Sequence, residues 1–234
     1  MSTLIENISD TAKWVAIFRA EESERPDAVF HDPFARRLAG KKGEEIANSI
    51  EFTRKNSWSF VARTFLLDQF IARHIKEGYD MVINLAAGLD ARPYRMELPS
   101  SLYWIEVDLP GIINEKEKIL DRETPRCDLQ RIRLDLSDQK ERVELFKILN
   151  KKTNKALIVS EGLMIYLNEE QAASLAKDLS SQKNFKRWVF DMVSPGLLTM
   201  MNERMGQAFE GSNASFQFAP VEGEEFFVQY GWKN

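Results

Sequence analysis

The sequence is organised around residues 79–95, YDMVINLAAGLDARPYR. Met81, Val82, Ile83 and Leu85 form a short apolar run broken only by Asn84. Such a run suits a strand buried on both faces of a parallel sheet. It ends in Ala86-Ala87-Gly88, three residues with almost no side chain. Small residues after a strand let a ligand approach the backbone closely, and glycine alone tolerates positive φ without steric cost. A second run (Leu102, Tyr103, Trp104, Ile105, Val107) ends on Asp108, twenty residues beyond Gly88. A carboxylate at the tip of the neighbouring strand can take both hydroxyls of a ribose. The spacing therefore predicts a nucleoside-containing ligand in a doubly wound sheet.

Strand and helix alternate from there on. A helix is expected from Pro110 to about Arg122, a strand over Arg131–Leu136, and a helix over 138–150 capped by Ser137. Ala156–Ser160 is a fourth strand with Glu161-Gly162 at its tip, and Asn168 with Gln171 forms a capping box for helix 169–182. Arg187–Val193 is the fifth strand. This alternation predicts an α/β parallel sheet in the order 3-2-1-4-5.

Helices flank the core. Leu4, Ile5, Ile8, Ala12, Val15 and Ala16 share a face over residues 3–20, and Ser57–Lys76 is the clearest helix, terminated at Gly78. Pro26 and Pro33 mark turns. Pro195 opens a helix with Leu197, Leu198, Met201 and Met205 on one face, and Glu222–Tyr230 is another. The expected organisation is one domain: a helical cap (1–78), a ligand-binding core (79–193), and a lid with a C-terminal helix (194–234).

Three stretches, NLAAGLDARPYR, IEVDLP and SEGLMIYL, resemble the leucine carboxyl methyltransferase family. That family includes bacterial O-methyltransferases of polyketide pathways, such as the tetracenomycin one. The resemblance implies a Rossmann-like class I methyltransferase sheet, S-adenosylmethionine as cofactor, and methyl transfer to a carboxylate or hydroxyl of a small molecule. It also implies roles for matching positions. Lys13 and Arg63 would hold the cofactor carboxylate, Gly88 would admit its backbone-hugging part, and Asp108 would take the ribose. Asp135 and Leu136 would border the adenine, and Glu161 would anchor the amine or order the acceptor.

Two features depart from the family pattern. Ala86 stands where the family has the first glycine of Gly-x-Gly, a change that costs little only if its φ is negative. The family sheet has seven strands, whereas residues after Gly231-Trp232 are too few for strands six and seven. Strand five would then have an open edge, satisfied by a second copy in a homodimer or covered by residues 196–230. Both departures favour an alternative reading, a non-catalytic relative that binds the cofactor or a partner. A nicotinamide oxidoreductase is disfavoured because Gly-x-Gly-x-x-Gly is absent at Ala86–Ala91.

Composition narrows the partners. A net charge of −4 without a long basic stretch argues against nucleic acid. Cys127 is the one cysteine, and His31 and His74 are the two histidines, so neither a disulfide framework nor a His/Cys zinc site is expected. No apolar run approaches the ~20 residues that span a bilayer, and no secretion signal is evident, so the expected location is the cytoplasm. His31 suits a loop histidine beside Asp32 better than a general base.

Overall fold

The computed structural model describes Ile5, residues 8–209 and residues 214–233. Leu4 of the expected first face and residues 210–213 of the expected lid lie outside the described residues, as does Asn234. The centre is a five-stranded parallel sheet in the order β3-β2-β1-β4-β5. Its strands are β1 (Met81–Leu85), β2 (Tyr103–Asp108), β3 (Asp128–Arg133), β4 (Ala156–Ser160) and β5 (Phe185–Phe190). Every residue of β1 and β4 is buried. Both are interior strands, covered on both faces, which is why their sequences are nearly unbroken apolar runs.

The edge strands differ from expectation. β3 begins at Asp128, paired with Tyr103, and ends at Arg133, short of the expected Asp135-Leu136. β5 begins at Phe185 and stops at Phe190 rather than Val193. The physical reason is the same in both. Edge strands keep exposed positions, occupied here by Arg133, Lys186 and Arg187, and their apolar content is diluted. Leu134 is buried but lies past the end of β3, in the turn that leaves the sheet.

The helices are α1 (Ile8–Ser23), α2 (Ala35–Ser49), α3 (Glu51–Lys55), α4 (Ser57–Lys76), α5 (Arg92–Arg95), α6 (Pro110–Ile119), α7 (Gln139–Lys152), α8 (Glu169–Ser180) and α9 (Pro195–Met205). Asp138, not Ser137, caps α7 by accepting the Glu141 N–H. The expected capping box of α8 is present at Asn168 and Gln171. Gly223–Tyr230 is a 3₁₀ helix rather than an α-helix. α2 has no clear sequence signature because Gly40, at φ +58°, kinks it. A Cβ at Gly43 would lie 2.6 Å from the Lys13 carbonyl oxygen, so glycine permits the close crossing of α1 and α2.

The cap and the late segment form one body over the strand tips. Trp14, Phe18, Ile46, Met205, Phe209 and Phe216 share a single apolar cluster. Each large side chain so buried contributes about 1.5–3 kcal/mol, which fixes α1 above the end of β1. On the far side, Phe227 packs on Trp188 and Phe190, and Trp232 on Trp188. The expected cover for strand five thus forms over its side chains. No strand pairs with its outer backbone edge among the described residues. No helix among them is long and apolar enough to cross a membrane.

Candidate functional site

A cavity of about 190 Å³ opens at the C-terminal ends of β1, β2 and β4, beneath α1 and beside α4. Its floor is the turn after β1. Ala86 and Gly88 both adopt left-handed φ, +53° and +47°. The condition under which alanine would cost little at position 86 is therefore not met. A Cβ on Gly88 would sit 3.2 Å from the Ala12 Cβ, so α1 lies directly over the turn. Asp108 closes this side. Its two carboxylate oxygens accept the N–H groups of Gly88 (2.6 Å) and Leu109 (2.7 Å). Burial pushes its pKa up, and those two N–H donors only partly offset the rise.

The wall between β1 and β4 is ionic. Arg63 reaches from α4 to Glu161 at the tip of β4 (3.0 Å) and to Asp191 just beyond β5 (2.9 Å). Asp191 also accepts the Gly162 N–H at 2.5 Å. Glu161 is shared, since Arg92 reaches its other oxygen at 2.8 Å. Burial opposes the ionised form of Glu161, yet Arg92 and then Arg63 outweigh it and hold the carboxyl below its usual range.

Beneath lies a second layer. Arg92, only 1% exposed, also pairs with Asp68 (2.6 Å) and Asp90 (2.9 Å). Asp90 further accepts from the Asn84 amide at 2.8 Å. Burial would raise its pKa, but Arg92 above all brings it down to about 2. Arg95 grips both oxygens of Asp68 at 2.6 and 2.7 Å.

The rest of the lining is largely apolar and aromatic, with Trp14, Phe60, Ile165, Tyr166, Met201 and Phe216. Tyr166 is hydrogen-bonded with Thr11, and burial pushes its hydroxyl up to about 12.

Of the residues singled out in sequence, Arg63, Gly88, Asp108 and Glu161 meet in this cavity, whereas Lys13, Asp135 and Leu136 are not in its wall. Lys13 pairs with Glu115 on α6 at 2.9 Å. Asp135 is exposed and accepts the Ser137 N–H, while the Leu136 carbonyl takes Arg142. His31 is exposed against the Ser23 carbonyl, and Cys127 is a buried filler whose thiol burial pushes up to about 12. Sequence reasoning missed Asp90, Arg92 and Asp191. The first two stood inside the quoted LDARPYR stretch without a role; Asp191 had no signal, because the fifth strand was expected to run past it.

The model of the leucine carboxyl methyltransferase family matches residues 12–180. The chain belongs to the leucine carboxyl methyltransferase family. Among its relatives, a protein of Streptomyces avermitilis is 30% identical over 239 residues, covering 95% of this chain and 82% of the relative. One of Streptomyces coelicolor is 31% identical, with 95% and 82% covered. One of Mycobacterium ulcerans is 32% identical over 58% of this chain and 49% of its own length. All three are provisionally named S-adenosyl-L-methionine-dependent methyltransferases. Solved structures share the family member's fold. A DUF574 family protein of Streptomyces avermitilis superposes with a TM-score of 0.66 at 13% identity, covering 93% of this chain and 81% of that one. Magnesium protoporphyrin IX methyltransferase of Synechocystis, solved with bound S-adenosylhomocysteine, gives 0.50 at 14% identity, with 82% and 84% covered.

Proposed function

We propose that this family member is an S-adenosylmethionine-dependent O-methyltransferase acting on a small molecule. The observation that carries the reading is the meeting of Gly88, Asp108, Arg63 and Glu161 in one cavity where the strand order reverses. The donor set suits the cofactor. Each Asp108 oxygen keeps a further lone pair for a ribose hydroxyl after accepting its backbone N–H. The planar fork of Arg63 matches a carboxylate, and Glu161 beside it matches an ammonium. An amino-acid headgroup presents to these two residues the same opposite charges that they now present to each other. The cofactor supplies an activated methyl on a sulfonium whose leaving group is neutral. What remains for the protein is alignment and exclusion of water, and alignment alone can supply roughly 7–11 kcal/mol.

The experiment is calorimetric titration with S-adenosylmethionine and S-adenosylhomocysteine, on the natural chain and on Arg63→Lys. Sub-millimolar binding is expected, weakened at least about tenfold by the lysine, which cannot form a bidentate contact. No heat with either compound refutes the reading. A second reading, a relative that binds the cofactor without turnover, is favoured by the strained Ala86 and by a cavity below the ~300–1,000 Å³ usual for small-molecule sites. Methyl transfer to any acceptor excludes it. Self-association through the open edge of β5 belongs to the same proposal and is read by sedimentation of the purified chain.

A further inference from the structure

Resting on the cofactor reading above, we infer that the acceptor is a neutral aromatic hydroxyl seated on the β4–β5 side of the cavity, and that Asp191 receives its proton. The cavity divides where the strand order reverses. Gly88 and Asp108 stand on the β1–β2 side, and Glu161, Gly162, Tyr166 and Asp191 on the β4–β5 side. The cofactor's sugar belongs to the first half, so its methyl faces the second.

Shape and charge in that second half select the acceptor. Rings line the cavity in two pairs, Trp14 with Phe60 at 5.4 Å and Tyr166 with Phe216 at 5.6 Å between centroids. Between such rings a planar apolar body packs well. The cations of the lining are Arg19, Arg63 and Arg92. Arg19 is committed to Asp32 and the Leu89 carbonyl, and Arg92 to Asp68, Asp90 and Glu161. Arg63 is the group that meets the cofactor's carboxylate. A carboxylate acceptor would therefore enter beside two like charges, Glu161 and Asp191, with the sulfonium as its counter-charge, and that crowding of anions disfavours it. A hydroxyl enters uncharged.

The hydroxyl must then lose a proton, and Asp191 is placed to take it. Its Oδ1 is pinned by the Gly162 N–H, and its Oδ2 is held by Arg63 alone among the described side chains. Turning of the Arg63 fork toward the cofactor's carboxylate frees Oδ2 while Gly162 keeps the carboxylate in place. The acceptor oxygen bonds to the methyl carbon as that carbon's bond to sulfur breaks, the electron pair going to sulfur. The acceptor's proton goes to Asp191 and from there to water.

Two readouts test this. The first is binding of naphthol and of naphthoate to the chain saturated with S-adenosylhomocysteine, followed by tryptophan fluorescence. Naphthol should bind at least about tenfold more tightly. Equal or tighter binding of naphthoate, binding of neither, or formation of the naphthoate methyl ester overturns the neutral-acceptor assignment. The second uses Asp191→Asn and Asp191→Glu. Transfer to naphthol should fall about 10²–10⁴-fold in the asparagine chain, recover in part in the glutamate chain, and fall less for a more acidic fluorinated naphthol. The affinity for S-adenosylmethionine should change less than about threefold. An equal loss on both naphthols, no loss, or loss of the cofactor itself overturns the proton-acceptor role. Absence of cofactor binding by the natural chain is a different failure, and it falls on the reading beneath this one.

Discussion

Two ionic clusters meet at Glu161 and differ in how far each is withdrawn from water. The inner one, Arg92 and Arg95 with Asp68 and Asp90, has side chains 2–12% exposed. Its acids are held by several donors each. The outer one, Arg63 with Glu161 and Asp191, is 15–27% exposed and opens into the cavity. The inner cluster is scaffold: its charges are out of water and can pair only with one another. The outer cluster is exchangeable, because a ligand carrying an ammonium and a carboxylate can replace each of its contacts. Glu161 belongs to both, held from below by Arg92 while it waits for a partner from above.

The largest effect should come from treating the two arginines alike. Arg92→Met takes a guanidinium from three carboxylates at once, leaving Asp68 to Arg95, Asp90 to the Asn84 amide and Glu161 to Arg63, and removing one partner of a buried ion pair costs about 3–5 kcal/mol. Arg63→Met leaves Glu161 with Arg92 and Asp191 with the Gly162 N–H, so about 1 kcal/mol is expected. Urea unfolding of both variants decides. Equal losses would erase the distinction between scaffold and exchangeable cluster.

Acid sharpens the same contrast. Asp90 falls from an ordinary 3.8 to about 2 on folding. A depressed carboxyl stabilises the fold above its unfolded value, and that contribution is lost as pH falls from about 4 through about 2. It amounts to roughly 2 kcal/mol. Unfolding measured over that window should lose most of this slope in Asp90→Asn. If the slope is unchanged, the inner cluster is not what acid dissolves.

The sequence disclosed the strand-tip half of this site and, through the family resemblance, Arg63 and Glu161 of the ionic half, but not Asp90, Arg92 or Asp191, for physical reasons. β1 and β4 are legible because burial on both faces forces continuous apolar runs, and whatever follows such a strand, Gly88 or Glu161, is thereby placed at the crevice. β3 and β5 carry Arg131, Arg133, Lys186 and Arg187, so their apolar runs no longer mark their ends. Asp191 was lost with the end of β5. Arg92 was visible, but its meaning lay in Asp68, 24 residues away on α4, and in Glu161 on another strand. Arg63 pairs with partners 98 and 128 residues distant, and no local pattern encodes such a contact. The cap was half legible: Ser57–Lys76 has regular periodicity, while α2 hides behind a glycine kink.

Ala86 stands on the border between the two clusters' floor and the ligand space, and it offers the smallest and most discriminating change. A left-handed conformation costs a residue with a Cβ about 1–2 kcal/mol. Glycine escapes that cost but gives back about 0.4–1 kcal/mol through a freer unfolded chain. Ala86→Gly should therefore raise stability by at most about 1.6 kcal/mol, a rise of no more than about 6 °C in Tm for a chain of this size. Removing the methyl also widens the floor, so S-adenosylmethionine should bind a few-fold more tightly in the same preparation. A fall in both quantities would mean that the Cβ of Ala86 is a packing contact with the apolar core beneath it. The turn would then belong with the scaffold rather than with the ligand site.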